Sequence, residues 1–289
     1  MTIRQIVAEI NLQLAGRYNE REIESFVRIL FRHFMNMNAA EMQLSNHRVP
    51  SVKLRQQIVA AVDELKKKRP IQYILGETEF YGMKFVVTPD VLVPRPETEE
   101  LVDWVVREYG SGAELSVADI GTGSGCIAVA LKSNFPNAQV WAVDISEQAL
   151  EVAQQNALKN DVELNFLKAD ILKDRMMSFE PNSLDLVVSN PPYVTPAEKK
   201  RMSENVLENE PHIALFTPKN DPLIFFKLIS SFALNCLKNH GKIFFEINEK
   251  YPGEVADILK QNGFSDISIR KDINGKWRMI SAKTGTGKR

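Results

Sequence analysis

Asn190-Pro191-Pro192-Tyr193 closes an apolar run, Leu184 to Ser189, that reads as a buried strand, and it follows a glycine-rich turn by about 65 residues. This pairing suits methyl transfer onto a planar, amide-type nitrogen. Such a nitrogen is a poor nucleophile because its lone pair is delocalised, and its two N–H groups need acceptors once water is excluded. An Asn side-chain oxygen and a neighbouring backbone carbonyl supply them. Asn before Pro is driven to extended geometry, and two prolines in series stiffen the loop and remove two competing donors. The acceptors are thereby preorganised, and the Tyr193 ring is free to lie against a flat target. Asn-Pro is also ordinary turn punctuation at a strand exit, so the motif draws its force from the glycine turn before it.

That turn runs from Val117 and Asp119 through Gly121, Thr122, Gly123, Ser124 and Gly125. Glycines there permit positive φ and let a ligand approach the backbone closely. In a dinucleotide fingerprint the third glycine would fall at position 126, which is Cys126. The G-x-G-x-G spacing suits the amino-acid part of S-adenosylmethionine better than a pyrophosphate, although many α/β proteins carry such a turn for packing. The next strand ends in Asp144, a carboxylate placed to accept from both ribose hydroxyls or, in the alternative, to cap the following helix, where Ser146 competes. Asp170 closes a third strand and is placed to accept from the adenine amine, with the backbone of Ile171 at the ring edge. Asp119 falls near the expected position of the cofactor's ammonium, and a buried carboxylate there needs a partner.

All these groups, and Asn190 with them, lie at carboxyl ends of strands, the rim where open α/β sheets bind ligands. Asn190 therefore counts with both the cofactor rim and the acceptor site. The catalytic demand is positioning plus electrostatics, carried by Asn190, Pro191 and Tyr193, with Pro192 completing the substrate loop. No metal, general base or covalent nucleophile is indicated.

The elements that must hold this rim follow from periodicity. Helical stripes run through Ile3, Ile6, Val7, Ile10 and Leu14, through Ile23, Phe26, Val27, Leu30, Phe31 and Phe34, and through Leu54, Ile58, Val62 and Leu65. Residues 1–69 thus read as a small helical bundle. Residues 70–96, with Gly76, Gly82 and three prolines, read as a β-hairpin linker, and a helix follows over 97–109. Beyond 115, strands are predicted at 116–120, 139–144, 163–168, 184–189, 241–247, 265–270 and 277–282, and helices at 124–134, 147–159, 222–238 and 252–262. The alternation argues an α/β fold with a parallel sheet covered on both faces. The last two strands read as an antiparallel hairpin, and Lys283 to Arg289 as a frayed end.

The bulk numbers narrow the function classes. With 289 residues, 44% hydrophobic and 25% charged, the chain has ample material for a core. A formal charge of −1 argues against binding dominated by phosphate neutralisation. The basic runs Lys66 to Arg69 and Lys199 to Arg201 read as solvated helix ends, so no direct nucleic-acid contact is expected. Cys126 and Cys236 stand far apart in apolar surroundings, as reduced thiols do. No stretch approaches 18 uninterrupted apolar residues, and no membrane is expected. A cytoplasmic location is the resulting expectation.

The chain resembles the HemK/PrmC family, the protein-(glutamine) methyltransferases that modify peptide chain release factors. The resemblance is carried by Arg69-Pro70-Ile71-Gln72-Tyr73-Ile74-Leu75-Gly76, by Val91-Leu92-Val93-Pro94-Arg95-Pro96-Glu97-Thr98-Glu99, by Asp119 to Gly125, by Asp144 and by Asn190 to Tyr193. Glu210-Pro211 followed by Ala214-Leu215 also matches a family segment. What it implies is a Rossmann-like class I methyltransferase domain over 97–289, with a seven-stranded, mostly parallel sheet and an antiparallel C-terminal hairpin. A helical substrate-docking domain over 1–69 would be joined to it by the 70–96 hairpin. It further implies S-adenosylmethionine as cofactor, and as substrate the glutamine of the Gly-Gly-Gln loop of class 1 release factors. Family cofactor contacts match Gly121 to Gly125 and Asp144, and the amide site matches Asn190 to Tyr193. Asp221-Pro222-Leu223 departs from a glycine-leucine pair, and Glu246-Ile247-Asn248-Glu249-Lys250 lacks the usual glycine; both bear on partner fit more than on methyl transfer.

Three other readings share parts of this pattern. An adenine-specific nucleic-acid methyltransferase would use the same amine geometry but needs a phosphate-gripping surface to extrude a base. A ribosomal-protein glutamine methyltransferase differs only in docking. A non-catalytic adaptor would bind the cofactor without needing amide acceptors. The residue at 126 and the lack of a proton-transfer pair disfavour an NAD-dependent dehydrogenase.

Overall fold

A computed structural model of the chain describes residues 1–173, 179–195, 198–199, 204–218 and 221–285. The chain forms two compact units. The first holds α1 (Ile3–Leu14), α2 (Glu20–Met35), α3 (Ala39–Leu44), α4 (Val52–Lys66) and α5 (Ile71–Leu75), together with α9 (Glu204–Asn209). Reciprocal capping boxes start three of these helices: Thr2 with Gln5, Asn19 with Glu22, and Asn38 with Glu41. The apolar stripes then converge, with Ile6, Ile10, Leu14, Val27, Leu30, Phe31, Ile58, Val62 and Leu65 in one buried core. The Tyr18 hydroxyl donates to the Leu65 carbonyl at 2.8 Å and ties the first loop to the end of α4.

Short helices depart from expectation, α3 and α5 among them. Residues 39–44 bury a single side chain, Met42, so no repeat marks them. Residues 71–75, read as part of a hairpin linker, form one helical turn ended by Gly76 at φ +71° and belong with the helices. The basic run after α4 is satisfied locally. Lys66 pairs with Asp63, Lys67 and Arg69 pair with Glu64, and Lys68 donates to the Arg17 carbonyl. Of the second run, Lys199 lies over the Phe216 ring, while positions 200 and 201 fall outside the described residues.

The second unit begins with an antiparallel pair, β1 (Glu77–Phe80) and β2 (Met83–Val86), followed by α6 (Pro96–Tyr109). Strands and helices then alternate: β3 (Ser116–Ile120), α7 (Cys126–Asn134), β4 (Gln139–Asp144), α8 (Glu147–Lys159), β5 (Asn165–Lys168) and β6 (Leu184–Ser189). After α10 (His212–Leu215) come α11 (Ile224–Cys236), β7 (Leu237–Glu246), α12 (Pro252–Gln261), β8 (Phe264–Lys271) and β9 (Trp277–Thr284). The seven strands lie in the order β5-β4-β3-β6-β7-β9-β8. The first five are parallel, and β9 enters antiparallel between β7 and β8.

Neighbouring residues on a strand point to opposite faces. Val117, Leu186 and Phe244 thus join one core with Trp104 and Val129, while Ala118, Val187 and Phe245 join the other with Phe226, Phe232 and Val255. Burial on both faces explains why these strands read as near-continuous apolar runs, broken at Asp119 and Asp185. The expected fray at Lys283 is corrected: β9 continues through Thr284, which is buried and donates its hydroxyl to the Lys238 carbonyl at 2.8 Å. Positions 286–289 lie outside the described residues.

Candidate active site

Strand order reverses between β3 and β6, and a crevice opens at their carboxyl ends, as it does at such switch points. It forms a cavity of about 370 Å³, and Gly121 to Ser124, Asp144, Asp170, Ile171, Asn190, Pro191 and Pro192 all line it. Ten of the residues singled out by sequence are thereby gathered on one rim.

Val143, Asp144 and Asn156 each hold the glycine turn. The amides of Gly121 and Thr122 donate to the Val143 carbonyl at 2.8 and 2.9 Å. Gly123, at φ +54°, donates its amide to Asp144 Oδ2 at 2.9 Å, while Ser146 N donates to Oδ1 at 2.9 Å. Ser146, not Asp144, caps α8, through Ala149 N. Burial raises the Asp144 pKa, and the surrounding amides oppose that rise. The third hold comes from Asn156, fully buried on α8, which donates to the Ser124 carbonyl and exchanges two bonds with the backbone of Val86.

Asp119 does not line the cavity but lies in the layer beneath it, with no exposed surface. Thr122 donates its hydroxyl to Asp119 Oδ2 at 2.6 Å, and Oδ1 has no partner among the described residues. Burial lifts its pKa to about 7; the Thr122 hydroxyl and the field of the Ala128 amide work against this, and the Asp144 charge adds to it. Gly125 and Tyr193 are likewise off the cavity wall. Gly125 is packed against α8, where a Cβ would meet Ala153 Cβ at 2.9 Å, so its role is close approach of helix and turn. The Tyr193 ring, expected against a flat target, instead packs on the core, and its hydroxyl donates to Glu246 Oε1 at 3.2 Å. Burial pushes that phenol above its usual range.

Asp170 lines the rim while holding its own turn, accepting from Leu172 N at 3.0 Å and pairing with Lys173 at 3.3 Å. Asn190 sits at the exit of β6. Its Nδ2 donates to Thr98 Oγ1 at 3.2 Å, and Thr98 in turn donates to Glu246 Oε2 at 2.6 Å. No hydrogen bond to Asn190 Oδ1 forms among the described residues. Glu246 is fully buried; desolvation raises its pKa, and the Thr98 hydroxyl, the Arg278 charge and the Tyr193 hydroxyl oppose the rise.

Further residues, given no cavity role by the sequence, also reach the rim. Arg95 lines the cavity and places Nη2 at 2.6 and 2.7 Å from the two oxygens of buried Glu210. This tethers the proline-rich segment before α6 to the segment before α10. Ile213, Ala214 and Phe216 add apolar wall. Cys126 also reaches the cavity, with its thiol pushed up to about 12 by burial. At the two departures from the family pattern, Asp221 accepts from Leu223 N and pairs with Lys227, and Asn248 accepts from Lys250 N. Both segments are thus held by side-chain turns that need no glycine.

Strand order, glycine turn and rim cavity together define a Rossmann-like methyltransferase. A solved methyltransferase from Pyrococcus furiosus shares the fold at 18% identity and a TM-score of 0.52, over 81% of this chain and all of that one. The methyltransferase small domain model matches residues 101–215, and the PrmC N-terminal domain model matches residues 5–76. The release factor glutamine methyltransferase of Flavobacterium psychrophilum is 42% identical over 284 residues, spanning 97% of this chain and 98% of its own. That of Bacteroides thetaiotaomicron is 38% identical, spanning 97% and 99%. The chain belongs to the release factor glutamine methyltransferase family. No helix among the described residues is long and apolar enough to cross a membrane.

Proposed function

We propose that this enzyme transfers the methyl group of S-adenosylmethionine to the side-chain amide nitrogen of the glutamine in the Gly-Gly-Gln loop of class 1 release factors. The observation that carries the reading is Asn190. With Nδ2 given to Thr98, its Oδ1 has no partner among the described residues and stands on a cavity wall stiffened by Pro191 and Pro192. That oxygen accepts one amide hydrogen of the substrate, and a backbone carbonyl of the loop accepts the other. Both acceptors favour the positive charge that grows on the nitrogen as it takes the methyl. The displaced proton leaves by an acceptor or water.

The chemistry of the cavity lining supports this cofactor. When bound, S-adenosylmethionine supplies a methyl carbon activated by its sulfonium. The main chain of Gly121 to Ser124 holds the methionine part, Asp144 accepts from the ribose hydroxyls with the lone pairs its two amide donors leave over, and Asp170 and Ile171 meet the adenine. Asp119, Gly125 and Tyr193 support these contacts from behind. The unit of residues 1–76 serves as the docking domain for the release factor, and residues 97–289 as the methyltransferase domain, in a cytoplasmic enzyme. Incubation with labelled S-adenosylmethionine and purified release factor, followed by mass spectrometry, should place one methyl on the loop glutamine. Label found only on a ribosomal protein or on nucleic acid would overturn the reading, as would cofactor binding without turnover.

A further inference from the structure

We propose that Thr98 and Glu246 act as a positioning pair that fixes which end of the Asn190 carboxamide faces the cavity, and so selects a carboxamide over a carboxylate. This inference rests on the function proposed above. An Asn side chain carries an acceptor at one end and two donors at the other, in nearly the same shape. Packing alone therefore does not choose between them. Thr98 has a single hydroxyl hydrogen, and the 2.6 Å separation from Glu246 Oε2 commits it to the carboxylate. As a carboxylate Glu246 only accepts, from Thr98 at one oxygen and from Tyr193 at the other, so it returns no hydrogen to Thr98.

Thr98 Oγ1 is left with lone pairs alone to offer Asn190, and Nδ2 meets it at 3.2 Å. Turning the amide over would set oxygen against oxygen. The pair thus keeps Oδ1 on the cavity side, where it welcomes the N–H of a glutamine and repels the oxygens of a glutamate. Thr98 and Glu246 come from α6 and the end of β7, 148 residues apart, and both are buried. A buried hydroxyl spent on a buried carboxylate beside the acceptor loop is a specificity device, not a surface cap.

The test uses the full-length enzyme, Thr98→Val and Thr98→Ser, with a release factor bearing the loop glutamine as substrate and one bearing glutamate as inhibitor. Cofactor affinity and melting temperature are measured alongside. For Thr98→Val, kcat/KM on the glutamine factor should fall roughly 10- to 100-fold, and the ratio of Ki for the glutamate factor to KM for the glutamine factor should narrow by about tenfold. Thr98→Ser, which keeps the hydroxyl, should return both to within about threefold of wild type. An unchanged ratio in Thr98→Val overturns the pair's role, even if overall activity drops. Should wild type itself leave the glutamine unmethylated, the function fails instead, and orientation is then read from the Asn190 side-chain amide hydrogens by NMR. These should exchange faster in Thr98→Val than in wild type or Thr98→Ser; equal rates in all three overturn the inference.

Discussion

Gly125 and Ala153 stand so close that a Cβ on the glycine would lie 2.9 Å from the Cβ of the alanine. Gly125 also holds φ +78°, which a side chain resists. Two independent costs therefore fall on Gly125→Ala, which should destabilise the fold by about 2–3 kcal/mol. Adding Ala153→Gly removes the 2.9 Å contact but leaves the Ala153 Cα at 3.2 Å and costs about 1 kcal/mol as a glycine inside α8, so the double variant should show a favourable coupling rather than full recovery. Urea denaturation of the single and double variants measures the coupling, and a neutral Gly125→Ala would remove the packing role given to this glycine.

Asn190 should separate turnover from cofactor binding. Truncation in Asn190→Ala removes the acceptor without touching the glycine turn or Asp144. We expect turnover to fall by about 100-fold or more, the scale of losing one preorganised transition-state contact. Calorimetric affinity for S-adenosylmethionine should stay within a few-fold. Parallel loss of both would contradict the assignment.

Asp119 makes a pH-dependent contribution whose sign is set by burial. Its folded pKa of about 7 lies above the 3.8 of an unperturbed Asp, so between the two the folded state holds a proton that the unfolded state has released. The stabilisation is present in full below the lower value and is lost as pH rises through the upper one. In that interval wild type should lose about 1.4 kcal/mol per pH unit relative to Asp119→Asn. Chemical denaturation of the two proteins at pH 5, 6, 7 and 8 gives the difference profile. A flat difference would show that Asp119 is ionised throughout.

Glu210 should depend on Arg95 more than on its own charge. It is almost wholly buried while Arg95 is about one-third exposed, and burial raises the Glu210 pKa despite the guanidinium. Arg95→Met strands a buried carboxylate and should cost about 2 kcal/mol, discounted from a fully buried pair because Arg95 reaches solvent. The double variant with Glu210→Gln should be more stable than Arg95→Met alone. Additive losses in thermal melts would mean that the two residues do not act as a pair.

Much of this architecture was legible in the residues because periodicity is a local property. Ile3 to Leu14, Ile23 to Phe34 and the near-continuous apolar strands state both their element and their buried faces. Alternation of strand and helix then forces a parallel sheet, so Gly121, Asp144, Asp170 and Asn190 had to arrive at one rim. The short helices α3, α5, α9 and α10 escaped because four to six residues complete too few turns to repeat a pattern.

By itself, then, the sequence determined the two-unit plan, the sheet and the rim on which the candidate site residues meet. Tertiary structure alone decided which of those residues touch the cavity and which support it. Asp119, Gly125 and Tyr193 lie behind the wall, and Asn190 is held through Thr98 and Glu246, which local spacing did not connect. The reason is physical. A hydrophobic stripe is written within one element, whereas the partner of a buried polar group is chosen by the register and packing of distant segments.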